Sequence, residues 1–290
     1  MPIVTAFEQL RQWPAPHAAA GVTDAHATIA DAGDLDRAQP WASVTKLVTA
    51  YGVLRLLEAG EIDLDEPAGP AGSTVRHLLA HASGLNFEGA AVIAPPGKRR
   101  IYSNGGFAIL GDLIAQRTGQ PAAEYLAAAV FEPLGMTTST IDGNVAAGGA
   151  GSARDLLAFA RELLAPTLID GKTLAAATSV VFPGLDGVLP GFGRCNPNDW
   201  GLGIEIRDGK DPHWTGHTNS AETFGHFGQQ GSFVWVDPSI GLGCVALTSV
   251  AFGAWAAQVW PVFSDAVVAE FGLPRAPRPM PPVSGGLSGR

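Results

Sequence analysis

The sequence has few of the cysteine and histidine patterns that form disulfides or metal sites in small secreted or metal-binding domains. Among 290 residues there are two cysteines, Cys195 and Cys244, and neither belongs to a CxxC pair. They allow at most one disulfide and exclude a disulfide framework and a cysteine zinc site. The segments HLLAH (77–81) and HWTGH (213–217) each space two histidines four apart, but no glutamate follows the first histidine of either pair. We therefore expect no metal and no other cofactor.

Charge is also scarce, and it is not basic. Charged residues make up 16% of the chain and the formal net charge is −9. Such a chain has no overall basic field, so we expect neither nucleic acid nor a membrane as a partner. Residues 238–264 carry no charged side chain and are long enough to cross a bilayer. Several glycines and Pro261 divide this run, which favours a strand followed by a buried helix.

The N-terminal segment gives an expectation about location. MPIVTAFEQLRQWPAPH lacks the basic start, apolar stretch and small-residue cleavage site of a secretory signal. We therefore expect a cytoplasmic protein.

The middle of the chain is predicted to be helical. Residues 44–59 are apolar on most faces and are followed by Gly60, which favours a buried helix with a left-handed end. Ser73 is predicted to cap a short helix, VRHLLAH. Residues 105–118 predict another helix, and Ser152 with an acid three residues later predicts the start of an amphipathic one.

After about residue 180 the pattern changes to a period of two. The segments WGLGIEIRDG, GSFVWVDP and IGLGCVALTS are each typical of a strand. A tight turn at 237–239 joins the last two, so we expect them to be antiparallel. An apolar helix is predicted around 254–271.

These elements predict one domain over 1–272 with two lobes. Its α/β lobe comprises about 1–60 and 195–272, and its helical lobe about 61–194. Beyond this domain, residues 273–290 are rich in proline and glycine, and we expect a flexible tail. The fold class expected is α/β (α+β), with an antiparallel sheet flanked by terminal helices and a helical lobe inserted.

The segment Ser43-Val44-Thr45-Lys46 is the first candidate for chemistry. Three residues apart at the start of a helix, the hydroxyl and the amine lie on one face and can meet. Serine needs an adjacent base to become a nucleophile, and burial lowers the pKa of a lysine toward that role. The alternative is a helix start with a lysine that reaches toward solvent.

Two further segments are candidates. Tyr102 and Asn104, in Tyr-Ser-Asn, supply a phenol for proton transfer and an amide for a substrate carbonyl, the phenol being held partly as phenolate by a nearby lysine. In His226-Phe227-Gly228 the glycine permits a substrate to approach a strand edge closely. Structural interpretations of both segments, as a helix start and as a common tripeptide, stay open.

In this order the three segments resemble the SxxK, YxN and KTG-like motifs of the serine β-lactamase and penicillin-binding-protein superfamily. STVRHLLAHASGL and PGKRRIYSNGGFAILGDLIAQRTG are also similar to stretches of that family. The resemblance covers about residues 41–248. It is greatest to the class C β-lactamase-like branch, which contains esterases, D-aminopeptidases and amide hydrolases.

The resemblance implies a β-lactamase/transpeptidase-like fold and a small-molecule ester or amide substrate. It implies Ser43 as nucleophile, Lys46 as its proton partner, Tyr102 as general base and leaving-group acid, and Asn104 as a substrate-orienting amide. The backbone N–H groups of Ser43 and Gln229 are the expected oxyanion donors.

Departures from the family pattern bear on the substrate. His226 stands where β-lactamases carry lysine, and Phe227 and Gln229 replace smaller polar residues. A neutral imidazole holds a carboxylate less well than an ammonium. We therefore expect a carboxylesterase with an apolar acyl group, the alternatives being a β-lactamase or D-amino-acid peptidase, or a non-catalytic binding or assembly protein on the same fold.

Overall fold

A computed structural model describes residues 5–272. The predicted flexible tail, 273–290, lies outside the described residues. Within them, the strands in chain order are β1 (Ala18–Thr23), β2 (Thr28–Ala32), β3 (Gln39–Pro40), β4 (Thr140–Ile141), β5 (Gly149–Gly151), β6 (Gly187–Leu189), β7 (Gly193–Cys195), β8 (Glu205–Ile206), β9 (Phe224–Gly228), β10 (Ser232–Asp237) and β11 (Leu242–Thr248).

The helices are interleaved with these strands, and most of them lie between β3 and β6. They are α1 (Thr45–Glu58), α2 (Val75–Leu79), α3 (Asn104–Thr118), α4 (Ala122–Leu126), α5 (Ala153–Leu164), α6 (Gly171–Ala177) and α7 (Ala254–Phe271). A 3-10 helix over Phe7–Gln12 precedes β1, and a second 3-10 turn over Ala42–Val44 leads into α1.

Six strands form the main sheet, in the order β2-β1-β11-β10-β9-β8, and every neighbouring pair is antiparallel. Along β10 the side chains alternate between two cores, because successive residues of a strand face opposite sides. Phe233 and Trp235 pack with α7, whereas Val234 and Val236 pack with α5. The antiparallel β10–β11 pair is as predicted, and so is the antiparallel sheet with a terminal helix.

The two faces of the sheet are covered by different parts of the chain. On one face lie α7 and the N-terminal 3-10 helix, joined by ring contacts such as Trp13 with Phe263. On the other face α5 packs against β1 and β11, although the predicted division assigns that segment to the helical lobe. The lobe boundaries themselves stay a prediction.

Several predicted helix ends coincide with the structure. Gly60 and Gly119 follow α1 and α3 with φ values of +74° and +71°, the left-handed conformation that favours glycine. Ser152 caps α5 through its hydroxyl, which accepts the Asp155 N–H. The predicted cap at Ser73 is wrong. The N-cap of α2 is Thr74, and the buried Ser73 hydroxyl has no hydrogen-bond partner within the described residues.

The predicted strand WGLGIEIRDG is much shorter than its sequence pattern. Only Glu205–Ile206 pairs with β9 as β8. Gly203 has φ +74° and lies in a turn in which the Gly201 N–H donates to the Ile204 carbonyl. That turn reverses the chain before an extended ladder can form. Of the helices between residues 5 and 272, none has the length and hydropathy needed to span a bilayer.

Candidate active site

The hydroxyl of Ser43 stands at the entry to α1, on a strained turn. Ala42, just before it, has φ +46°, a conformation that costs a non-glycine residue about 1 kcal/mol or more. Trp41 anchors the turn from the other side. Its N–H donates to the Gly149 carbonyl at 2.8 Å and its indole N–H to the Gly151 carbonyl at 3.2 Å. Ser43 is thereby held half-buried at the start of a buried helix.

Lys46 lies one turn into α1, with its amine in the protein interior. Its Nζ atom is 2.6 Å from Asn104 Oδ1, 2.8 Å from the Ala146 carbonyl oxygen and 3.4 Å from Ser43 Oγ. Burial lowers the pKa of this amine to about 7, against an opposing effect of Glu88. Near neutral pH a large fraction of Lys46 is therefore uncharged.

The contacts of the neutral amine determine where its lone pair points. A neutral amine donates two hydrogen bonds and accepts one. Two of its three partners are carbonyl oxygens, which only accept, so they take both N–H groups. The lone pair is left for the remaining partner, the Ser43 hydroxyl. This geometry allows Lys46 to receive the serine proton.

Asn104 connects the amine to an acidic residue that the sequence interpretation missed. Its Oδ1 accepts from Lys46, and its Nδ2 donates to Glu88 Oε1 at 2.5 Å. The side-chain amide is thus oriented from both ends. Glu88 is an exposed loop residue. No sequence pattern marks it.

Tyr102 is enclosed by aromatic rings and by Lys46. The Lys46 Nζ lies 4.8 Å from the centre of the Tyr102 ring, with His81 and Phe87 packed at 4.6 and 5.9 Å. Burial raises the pKa of the phenol, and the hydrogen bond with Ser43 only partly opposes that rise. The phenolate expected from the sequence is therefore not favoured, and Tyr102 rests as a neutral phenol.

His226, on β9, is a neutral imidazole of one tautomer. Its Nδ1 lies 2.6 Å from the Phe227 carbonyl oxygen, which can only accept, so Nδ1 carries the proton. Its Nε2 is then free to accept from the Tyr102 hydroxyl, 3.3 Å away. Burial, reinforced by Lys46, lowers the pKa of His226 to about 3. The neutral state agrees with the sequence expectation.

Gly228 has a structural role beside the predicted one. A Cβ at this position would lie 2.1 Å from the Trp41 carbonyl oxygen and 2.5 Å from the Ser232 hydroxyl. The close protein neighbour is the turn that carries Ser43, and the approach of a substrate at this glycine stays a prediction. Gly228 therefore lets β9 approach the turn closely enough to bring His226 beside Tyr102.

A cavity of about 270 Å³ opens beside Ser43. Gln229 borders it, with its side-chain amide donating to the Phe252 carbonyl at 3.1 Å. Much of the wall is apolar. The apolar lining consists of Phe87, Leu189, Pro190, Trp200 and Phe227.

The same cavity is bordered by a buried carboxylate, Glu205, that the sequence interpretation also missed. Glu205 forms an ion pair with Lys210 and accepts hydrogen bonds from His213 and from the Trp214 indole, the latter at 2.7 Å. Burial alone would raise its pKa, but these partners hold it at about 2. Its charge is therefore compensated inside the protein.

The two histidine pairs have separate partners. His77 contacts the Thr74 hydroxyl at 2.9 Å, and His81 Nδ1 accepts the Ser103 N–H at 3.1 Å. His213 contacts Glu205, whereas His217 is exposed and lies 3.3 Å from Asp265. Within residues 5–272 no cluster of three or more metal-binding side chains is found.

The structure thus brings together all seven residues singled out from the sequence. The turn before α1 carries Ser43 and the first turn of α1 carries Lys46, while Tyr102 and Asn104 lie just before and at the start of α3. Strand β9 carries His226 and Gly228, and Gln229 follows it directly. Compared with known proteins, residues 14–267 match the β-lactamase family. The chain belongs to the β-lactamase family. Membership confirms the resemblance seen in the motifs and the α/β fold expected from it.

A solved structure described as a β-lactamase from Mycobacterium bovis is 50% identical, with a TM-score of 0.91, over 93% of this chain and 100% of that one. Esterase EstB of Burkholderia gladioli is 33% identical over 33% of this chain and 36% of its own length. The D-alanyl-D-alanine-carboxypeptidase/endopeptidase AmpH of Escherichia coli K12 is 29% identical over 37% of each chain. The chain thus matches about a third of the length of these curated relatives. The three similar proteins are thus described as a β-lactamase, an esterase and a carboxypeptidase/endopeptidase.

Proposed function

We propose that this β-lactamase-family protein hydrolyses a small apolar ester through an acyl-enzyme on Ser43. The observation that carries the proposal is the Lys46 amine, with its two N–H groups bound to carbonyl oxygens and its lone pair left for the serine hydroxyl. An adjacent base of this kind is what converts serine into a nucleophile.

In the proposed reaction the Ser43 proton moves to Lys46 as Oγ bonds to the ester carbonyl carbon. The backbone N–H groups of Ser43 and Gln229 are the proposed donors to the resulting oxyanion. As the tetrahedral intermediate collapses, the C–O bond to the alcohol breaks. The Tyr102 phenol gives the leaving oxygen a proton and regains one from the Lys46 ammonium. A water molecule then gives a proton to Lys46 as its oxygen bonds to the acyl carbon. The bond from that carbon to Ser43 Oγ breaks, the serine takes the proton from Lys46, and the carboxylic acid is released.

Asn104 and His226 act as orienting groups in this proposal. The Asn104 amide is held by Lys46 and Glu88 and is the proposed polar contact for the substrate. His226 accepts the Tyr102 O–H in the resting site, and the hydroxyl turns from His226 to the leaving oxygen when the tetrahedral intermediate collapses.

The cavity wall favours an ester over an anionic β-lactam or peptide. Among the described residues that border the cavity there is no lysine or arginine, and the imidazole of His226 is neutral. A substrate carboxylate would therefore meet no fixed positive charge at this wall. Apolar side chains instead favour an uncharged acyl group. A cytoplasmic location and the absence of nucleic-acid and membrane partners stay predictions from the sequence.

The test compares substrate classes on the unmodified protein. We expect turnover of p-nitrophenyl acetate and butyrate to exceed that of a chromogenic cephalosporin and of a D-alanyl-p-nitroanilide. A fluorophosphonate should add once per chain, with peptide mapping placing the adduct on Ser43. Faster turnover of the cephalosporin or the D-alanyl amide would assign one of those activities instead. No turnover and no adduct would favour the non-catalytic alternative.

The pKa of Lys46 predicts how kcat/KM depends on pH, and the charge of Glu88 affects that pKa. Since only the neutral amine accepts a proton, kcat/KM should rise with pH through an apparent pKa of about 7. The Glu88 carboxylate favours the ammonium, so Glu88→Gln should lower that pKa, by roughly half a unit at 0.1 M salt, and move the rising limb to lower pH. Glutamine can still accept from Asn104, so the change isolates the charge.

The matched control is Glu61→Gln. Glu61 is exposed just beyond the far end of α1, roughly 20 Å along the helix axis from Lys46. At 0.1 M salt that separation is about two Debye lengths, so the limb should stay in place. Equal shifts in both variants, or none in Glu88→Gln, would contradict the assignment of the limb to Lys46.

A further inference from the structure

Large apolar side chains are exposed around the mouth of the catalytic cavity. Phe87, Val92, Ile93 and Val188 are 48%, 54%, 59% and 55% exposed, and we call these four residues the rim patch. A group of apolar side chains on a solvent-exposed surface marks a binding site more often than single exposed apolar residues do.

The backbone under the rim patch is ordered by hydrogen bonds. The Asn86 N–H donates to the Ala91 carbonyl at 2.8 Å, and the Ile93 N–H to the Gly84 carbonyl at 2.9 Å. The Phe87 carbonyl accepts the Asn104 N–H at 2.8 Å. The rim patch is therefore tied directly to the start of α3, where a proposed catalytic-site residue lies.

A second cavity, of about 280 Å³, lies under the rim patch. Its apolar and aromatic lining consists of Phe87, Ile93, Ile101, Tyr102, Val188 and Pro190. The polar lining is Asn86, Arg99 and Arg100, and the Arg100 guanidinium is occupied by backbone carbonyls such as that of Asn198 at 3.0 Å.

The second cavity adjoins the catalytic one. Phe87, Tyr102 and Pro190 border both. Along β6, Leu189 faces the catalytic cavity and its neighbour Val188 faces the second, because successive strand residues point to opposite sides. The tip of β6 thus separates two adjoining, largely apolar spaces.

We propose that the second cavity is a subsite for the far end of an extended aliphatic acyl chain. The inference rests on the proposed esterase function and names its substrate class, an ester of a medium-length or longer fatty acid. The carbonyl lies at Ser43, the first methylenes contact Trp200 and Phe227, and the chain passes Phe87 and Pro190 to reach Val188 and Ile93. The three residues that border both cavities place this subsite directly beside Ser43, which favours the substrate chain over another protein surface.

The experiment compares p-nitrophenyl acetate with p-nitrophenyl octanoate. Since full burial of one methylene changes affinity by about fourfold, partial burial of the extra chain should raise kcat/KM for octanoate about tenfold or more above acetate. Val188→Asn should reduce that ratio about fivefold. Ile93→Asn should act in the same direction. Both side chains are exposed, so neither change disturbs the core.

Val262→Asn is the matched control, since Val262 is 58% exposed on α7 and borders neither cavity. It should leave the octanoate-to-acetate ratio unchanged. An equal ratio for wild type and Val188→Asn would overturn the subsite. So would a Val188→Asn variant that changed only the oligomeric state in light scattering or only vesicle binding, because the rim patch would then cover a second copy or a lipid surface.

Binding of unreactive chains separates this inference from the proposed function. Octyl methyl ether should bind about tenfold more tightly than ethyl methyl ether, and Val188→Asn should remove most of that difference. If no ester is hydrolysed but this preference holds, the proposed function fails and the apolar subsite stands. If esters are hydrolysed and the two ethers bind alike, the subsite fails and the proposed function stands.

Discussion

Replacing Ser43 with alanine should remove the fluorophosphonate adduct and lower kcat/KM for p-nitrophenyl butyrate by about 10⁴-fold or more. The change deletes the oxygen that would bond to the substrate carbon. In the proposed reaction Lys46 and Tyr102 only transfer protons, so they cannot supply that nucleophile. Intact mass after incubation with the reagent, together with initial rates, measures both effects. Because Ser43 is only half-buried, the melting temperature should change by no more than a few degrees.

Ser179→Ala serves as the control for this loss. Ser179 is exposed, its hydroxyl donates to the Ala175 carbonyl at 2.7 Å, and it is not among the residues that border the catalytic cavity. This variant should retain both the adduct and full turnover. A stoichiometric adduct on Ser43→Ala would assign the nucleophile to another residue and contradict the proposal.

The sequence predicts those parts of the fold that depend on local pattern. Alternation along β10 and β11 identifies two strands, and the short turn between them fixes their antiparallel register from Asp237 opposite Leu242. The spacing of Ser43 and Lys46 similarly brings a hydroxyl and an amine to one face of a helix start. In both cases the partners are close in sequence, so backbone geometry alone brings them together.

Features that depend on distant parts of the chain could not be predicted in this way. The second acceptor of Lys46 is the carbonyl of Ala146, a group present in every residue and marked by no side chain. Glu88 reaches Asn104 from a loop, and the close neighbour of Gly228 is the Trp41 carbonyl. The raised pKa of Tyr102 follows from burial, which only the assembled fold determines.

Lys46→Met and Lys46→Arg should each reduce the rate of fluorophosphonate labelling and kcat/KM for butyrate about 10³-fold or more. Methionine has similar length but no proton acceptor, and arginine keeps a positive charge but stays protonated at any working pH. If both variants lose activity, the reaction depends on a neutral amine beside Ser43, and a positive charge at this position is not sufficient. The residual rate should also lose its rise through pH 7.

Stability must be separated from chemistry in these variants, because Lys46 is buried. Methionine leaves Asn104 Oδ1 and the Ala146 carbonyl without their donor, at a cost of about 1–3 kcal/mol for each unpaired group. Thermal unfolding measures that loss, and rates are compared well below the transition. Lys172→Met, on the exposed first turn of α6, should change neither property. If Lys46→Arg kept more than a tenth of the activity, Lys46 would act through its charge and the proton-transfer role derived from its lone pair would be wrong.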